Sequence, residues 1–174
     1  MTAFEPRALV LDTSVWINLL ATGHASAIVK GLACPIAVPE QVLGELKLDP
    51  VTRRPFVGDI HPALQIPMVE LVSLGGDELD IFVELVSADA PDRLGDGEAA
   101  SIAIAWKRQL QLGIDEKKAN RLLRERFSSI PAFRSTELLA HPSIALELGH
   151  ATASDCYERA VRYGRMHIVR SPAD

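Results

Sequence analysis

The stretch Arg7–Leu20, RALVLDTSVWINLL, decides how the rest of the chain is read. Ala8, Leu9, Val10 and Leu11 form a short unbroken apolar run, the pattern of a strand buried on both faces of a parallel sheet. Asp12 ends the run, Thr13 or Ser14 can cap a following helix, and Val15, Trp16, Ile17, Leu19 and Leu20 give that helix an apolar stripe. The unit reads strand, carboxylate, cap, helix. In open α/β sheets ligands bind at such junctions. Alone, Asp12 is better explained as a helix cap or turn residue, because aspartate is favoured there. Only further carboxylates in equivalent places give it another meaning.

The chain has 174 residues, 48% hydrophobic and 24% charged, which is ordinary for one globular domain with a well-buried core. A single domain over 1–174 is expected. The net charge is -5, so no global positive field draws a polyanion to the surface. Such a substrate must be held by local basic patches or metal ions. Cys34 and Cys156 lack metal-ligand spacing and read as thiols in a reducing compartment, with no structural disulfide. The charged residues before the first apolar run are one acid, Glu5, and one base, Arg7, and Asp12 interrupts that run below signal-peptide length. Nothing approaches the roughly 20 apolar residues that cross a bilayer. A cytoplasmic protein with no membrane partner is expected.

Beyond the first helix, Gly23 is a stop signal and His24 to Leu32 reads as a second helix. Ile36 to Val38 is a brief strand, and Pro39 sits where a helix favours its first residue, with Glu40 in the first turn. On that helix Val42, Leu43 and Leu46 face inward, and Glu45 borders the apolar stripe. From about Lys47 to Pro67 four prolines break the pattern into an irregular excursion. Met68 to Leu74 reads as a strand, and Gly75 and Gly76 lead into a helix carrying Leu79, Ile81, Phe82 and Leu85.

The second informative segment is RLGDGEAASIAIAW, residues 93–106. Ala99 to Trp106 is almost wholly apolar and rich in alanine, so it reads as a helix enclosed by protein. Its start is acidic. Asp96 is placed as N-cap, and Glu98 falls in the first turn, where the helix dipole favours negative charge. Leu110, Leu112 and Ile114 then alternate with polar or small residues as a strand does. Asp115 ends that strand and repeats the setting of Asp12, with Glu116, Lys117 and Lys118 opening a helix through Leu123. Ala132 to Leu139 reads as a last strand and turn. From about Ser143 to Tyr163 the chain is helical, a C-terminal extension over about 143–165, with Asp155 and Arg159 spaced as a surface pair.

Asp12, Glu45, Glu98 and Asp115 thus stand at a strand end, a helix border, a helix start and a second strand end. Clustered carboxylates raise one another's pKa unless a cation neutralises them. An all-oxygen donor set without His or Cys suits Mg2+ or Mn2+. Such ions lower the pKa of bound water and stabilise a phosphodiester under in-line attack. Phosphodiester hydrolysis is the chemistry implied.

LDTSVW with Asp12, PEQVLGEL with Glu45, GDGEAASIAIA with Glu98 and GIDEKKA with Asp115 resemble, in order, the four acidic motifs of PIN-domain ribonucleases. The resemblance implies a PIN-like three-layer α/β sandwich, a central parallel sheet flanked by helices, and a nuclease site dependent on Mg2+ or Mn2+. It makes Asp12, Glu45, Glu98 and Asp115 the catalytic, metal-binding acids, with Asp96 as an extra ligand or cap. Many members are toxins of prokaryotic toxin-antitoxin modules and many dimerise, so RNA, an antitoxin protein and a second copy of the chain are the partners it implies. The chain departs from the pattern by carrying Glu at 98 where many members have Asp, and by its long excursion and C-terminal helical segment.

Lys117, Lys118 and Arg121, followed by Arg124 and Arg126, come directly after Asp115 and are the candidate phosphate contacts, with Arg53 and Arg54 in the excursion. Long cations are also ordinary on a solvated helix face. Aromatics make up 5% of the chain, so base stacking is not expected to dominate. His24, His61, His141, His150 and His167 share no metal spacing. A PIN-fold binding module with little catalysis is the main alternative. A phosphoaspartyl enzyme is disfavoured because Ser14 stands where the second Asp is needed.

Overall fold

Every strand here is followed by a helical return, and the sheet is consequently parallel throughout. The computed structural model describes residues 8–166; Glu5, Arg7 and His167 lie outside the described residues. In chain order the elements are β1 (Leu9–Leu11), α1 (Thr13–Ala21), α2 (Ala25–Leu32), β2 (Ile36–Pro39) and α3 (Glu40–Glu45). There follow β3 (Val69–Val72), α4 (Gly76–Ser87), α5 (Asp96–Arg108), β4 (Gln111–Gly113) and α6 (Lys117–Arg126). The chain continues through β5 (Ala132–Phe133), α7 (Ser135–Leu139), α8 (Pro142–Leu148) and α9 (His150–Tyr163). The five strands lie in the order β3-β2-β1-β4-β5. Leu9 pairs with both Ile36 and Gln111, so β1 is central.

The two-residue alternation of a strand divides the core into two layers. Leu9 and Leu11 of β1, with Ile36 and Val38 of β2 and Phe133 of β5, pack on one face against α1, α2 and the C-terminal helices. Val10 and Leu112 point to the other face, against Ile102 and Ile104 of α5 and Leu122 of α6. The result is the expected three-layer α/β arrangement. Each fully buried Leu, Ile or Val contributes about 1.5–3 kcal/mol relative to exposure. In α5 every residue from Ala99 to Ala105 is buried, which explains its small side chains: neighbours approach it on all sides.

Several local expectations are corrected. Pro39 ends β2 and caps α3 instead of opening it. The residues after β5 form helix α7 in place of a turn, and the C-terminal helical segment is two helices broken at Gly149. Arg159 donates to the Thr22 carbonyl at 2.8 Å, tying α9 to the end of α1 rather than pairing with Asp155. The excursion from about 47 to 67 is irregular apart from a Leu48–Pro55 bridge and a single 3-10 turn at Pro62–Gln65. Both cysteines are buried free thiols. No helix among the described residues is long and apolar enough to cross a membrane.

Candidate functional site

The strand order places the site. From β1 the chain moves to one side through β2 and β3, then returns to the other side through β4 and β5. The switch point therefore lies between β1 and β4, outside their carboxyl ends, where an open sheet leaves a crevice. Asp12 follows the last residue of β1, and its N–H donates to the Gly113 carbonyl of β4 at 2.9 Å. Asp115 follows β4 by two residues. The end of α3 brings Glu45 to the same place, and the first turn of α5 brings Glu98. All four carboxylates line one open cleft of about 250 Å³.

Asp12 takes the capping position and also lines the cleft. It is the N-cap of α1, with Oδ2 accepting from the Ser14 N–H at 3.2 Å and the Ser14 hydroxyl at 2.8 Å. Its Oδ1 is buried and meets no hydrogen-bond donor in good geometry among the described residues. Glu45 is held from two elements: the Thr13 hydroxyl donates to Oε2 at 2.5 Å and the Gly97 N–H to Oε1 at 2.9 Å. This close approach requires glycine, because a Cβ at position 97 would sit 2.6 Å from Thr13 Oγ1 and 2.7 Å from Glu45 Oε2. Glu98 Oε2 accepts from the Gly95 N–H at 3.1 Å, closing the α5 N-terminus. Asp115 is the most restrained, accepting from Asn18 Nδ2 at 2.9 Å, the Ser135 N–H at 2.8 Å and the Ser135 hydroxyl at 2.6 Å.

Burial pushes the Asp12 carboxyl above the ordinary carboxylate range, opposed by its hydrogen bonds to Ser14 and reinforced by the charge of Glu45. Glu98 is likewise raised, first by desolvation and then by the charges of Asp12 and Glu116, with Lys118 pulling the other way. In both Asp12 and Glu98, burial comes first and a neighbouring carboxylate adds to it.

The sequence reading placed Asp96 at the N-cap of α5, but Gly95 takes that position. Asp96 is exposed and is not among the residues lining the cleft, so it joins neither the cap nor the acid cluster. The candidate phosphate contacts also fare unevenly. Arg121 is tied to Asp92 at 2.5 Å and Glu125 at 3.1 Å, and Lys118 Nζ donates to the Arg93 carbonyl. Lys117 is exposed and, like the other two, does not line the cleft.

Four contributors were missed in the sequence. Glu116 lines the cleft as a fifth carboxylate and Arg165 as a cation. Asn18 and Ser135 clamp Asp115. Asn18 had a signal, as the one amide within the apolar run VWINLL, but Ser135 and Arg165 had none.

A hard cation fits the donor chemistry. An ionised carboxylate has about four lone-pair sites, so all four acids keep acceptor capacity beyond their protein hydrogen bonds, and Asp12 Oδ1 has no hydrogen-bond partner among the described residues. Among the described residues no three His, Cys, Asp or Glu side chains are drawn together into a ready-made metal group. The oxygens therefore share a cleft without being closed around one point. Fold and cleft together define an α/β protein with a five-stranded parallel sheet and an acidic crevice at its switch point. Compared with known proteins, the chain matches no family model, no curated protein and no solved structure.

Proposed function

We propose that this chain is a PIN-like ribonuclease that uses Mg2+ or Mn2+ to hydrolyse RNA phosphodiester bonds. One observation carries the reading: carboxylates from four separate elements share the switch-point cleft, and the most buried of them presents an oxygen with no hydrogen-bond partner among the described residues. Asp12, Glu45, Glu98 and Asp115 are the residues that would hold the ion. When bound, such an ion supplies electrostatic stabilisation of the phosphoryl oxygens and lowers the pKa of water. The chain's own work is positional. Asn18 and Ser135 orient Asp115, while Thr13 and the Gly97 N–H orient Glu45, so the acids are set by hydrogen bonds before substrate arrives. The order of the four acidic motifs supports the family reading, and a toxin paired with an antitoxin protein is its finer form.

The test is incubation of purified protein with single-stranded RNA and Mn2+. Cleavage is expected, lost with chelator and with Asp12→Asn; cleavage surviving both would sink the mechanism. For the toxin form, expression of the wild-type chain should arrest growth and Asp12→Asn should relieve the arrest.

A second reading, a binding module with little catalysis, is favoured by the excursion, where Val57 is 95% and Ile60 57% exposed. It calls for a tightly bound partner and no RNA turnover at saturating Mn2+.

A further inference from the structure

The cleft has an electrostatic problem that the preceding reading leaves open. Five carboxylates line it, and a phosphodiester must approach them. Of the cations nearest in sequence, Lys118 donates to a backbone carbonyl, Arg121 is paired with two acids, and Lys117 is exposed; none of the three lines the cleft. Arg165 is the cation among the described residues that line the cleft, and it comes from the turn after α9, far from every acidic motif.

Its backbone is clamped from three directions. The Arg165 N–H donates to Asn18 Oδ1 at 2.6 Å. On one side Gly164 packs so closely that a Cβ there would lie 2.3 Å from Asn18 Oδ1 and 2.5 Å from the Ala160 carbonyl. On the other side Met166 is buried in the core. The Arg165 residue itself remains exposed, and its guanidinium makes no ion pair with a described residue. A fixed backbone carrying a cation without a described ion-pair partner at the rim of an acidic cleft is the arrangement expected of a phosphate contact, because the backbone is already ordered and only the side chain loses freedom on binding. Asn18 joins the two halves of the site, since its Nδ2 holds Asp115 while its Oδ1 holds Arg165.

We propose that Arg165 contacts a phosphate of RNA bound in the cleft, with Asn18 and Gly164 as its positioning residues. This rests on the ribonuclease reading above. It predicts that the C-terminal turn, and not the helix after Asp115, supplies the substrate-holding charge.

The experiment compares the full-length wild-type chain, Arg165→Gln, Arg165→Lys and Lys117→Gln in binding and cleavage of a fluorescent single-stranded RNA across a salt series. Binding is read with Ca2+ and cleavage with Mn2+. Arg165→Gln should raise Kd and KM about tenfold, the loss of one charge-assisted contact. It should also lower the slope of log affinity against log salt by about 0.7, the value for one phosphate on a single strand. Arg165→Lys should recover the slope, and Lys117→Gln should change neither quantity. Gly164→Ala, which keeps the guanidinium but displaces the turn, should raise KM as Arg165→Gln does. Arg165→Gln with unchanged Kd and salt slope, in a wild-type background that binds and cleaves, overturns the proposal while leaving the ribonuclease reading intact. Tighter binding or faster cleavage by Arg165→Gln also overturns it, since the guanidinium would then be screening the acids from substrate. Wild-type protein that neither binds nor cleaves RNA removes both readings.

Discussion

Asp12→Asn should make the metal-free protein more stable and the metal-loaded protein less so. Asp12 is 2% exposed, and its ionised form is disfavoured by desolvation and by the charge of Glu45. Asparagine and aspartate are about equal as N-caps, so the bonds from Ser14 to the Oδ2 position can persist. What the substitution removes is the buried charge, and each pKa unit of elevation corresponds to about 1.4 kcal/mol against the charged form. A gain of about 1 kcal/mol would raise Tm by about 2–4 °C for a chain of this size. With Mn2+ at a hundred times its Kd, the wild type gains about 2.7 kcal/mol from binding, or about 5–10 °C at the same conversion. Asp12→Asn should gain little. Thermal melts followed by circular dichroism, in EDTA and in MnCl2, should therefore reverse the order of the two proteins. If wild type is the more stable in EDTA and neither protein responds to Mn2+, Asp12 is a structural cap and the reasoning fails.

Gly97→Ala places a methyl 2.6 Å from Thr13 Oγ1 and 2.7 Å from Glu45 Oε2, so the Glu45 carboxylate must move. Helix propensity favours Ala by about 1 kcal/mol, which offsets much of the lost bonding; the melt should change little while Mn2+ affinity measured by calorimetry falls about 10–100-fold. Asn18→Leu strips partners from Asp115, Ser135 and the Arg165 N–H. Unsatisfied groups cost about 1–3 kcal/mol each, so urea unfolding should show a loss of about 2–4 kcal/mol, and a loss below about 1 kcal/mol would mean that water replaces the amide. Glu78 ties α4 to α5 by accepting from Arg108 at 2.6 and 2.9 Å and from the Gly75 N–H. The Arg108 hydrogen bonds hold its carboxyl below the ordinary value of 4.5, so its contribution is present above about pH 4.5 and is lost as pH falls through the folded-state pKa. Glu78→Gln should cost about 1–2 kcal/mol at pH 7, kept low by solvent screening at the partly exposed Arg108. It should also flatten stability against pH below that point, and an unchanged acid limb would refute the assignment.

Much of the architecture was written in local pattern. The apolar run before Asp12, the alanine-rich helix after Glu98 and the Pro-broken stretch after Glu45 each state their structure within a few residues, because burial and capping act over one or two turns. Asp96 shows where such reasoning stops: two glycines flank it, either residue 95 or 96 can cap, and the choice fell to Gly95 when Glu98 accepted its N–H. The break at Gly149 was hidden for a similar reason, since one glycine within a helical pattern does not by itself end a helix.

By itself, then, the sequence determined most of the element types, the parallel sheet and the positions of the acids at element ends. Only the tertiary structure decided that Asp12 keeps one oxygen open, that Lys118 and Arg121 are already engaged, and that Asn18 reaches Asp115 across 97 positions and Arg165 across 147. The physical reason is range. Propensity and amphipathic spacing are properties of neighbours along the chain, whereas the partner of a buried polar atom is whichever donor or acceptor packing brings within 3 Å.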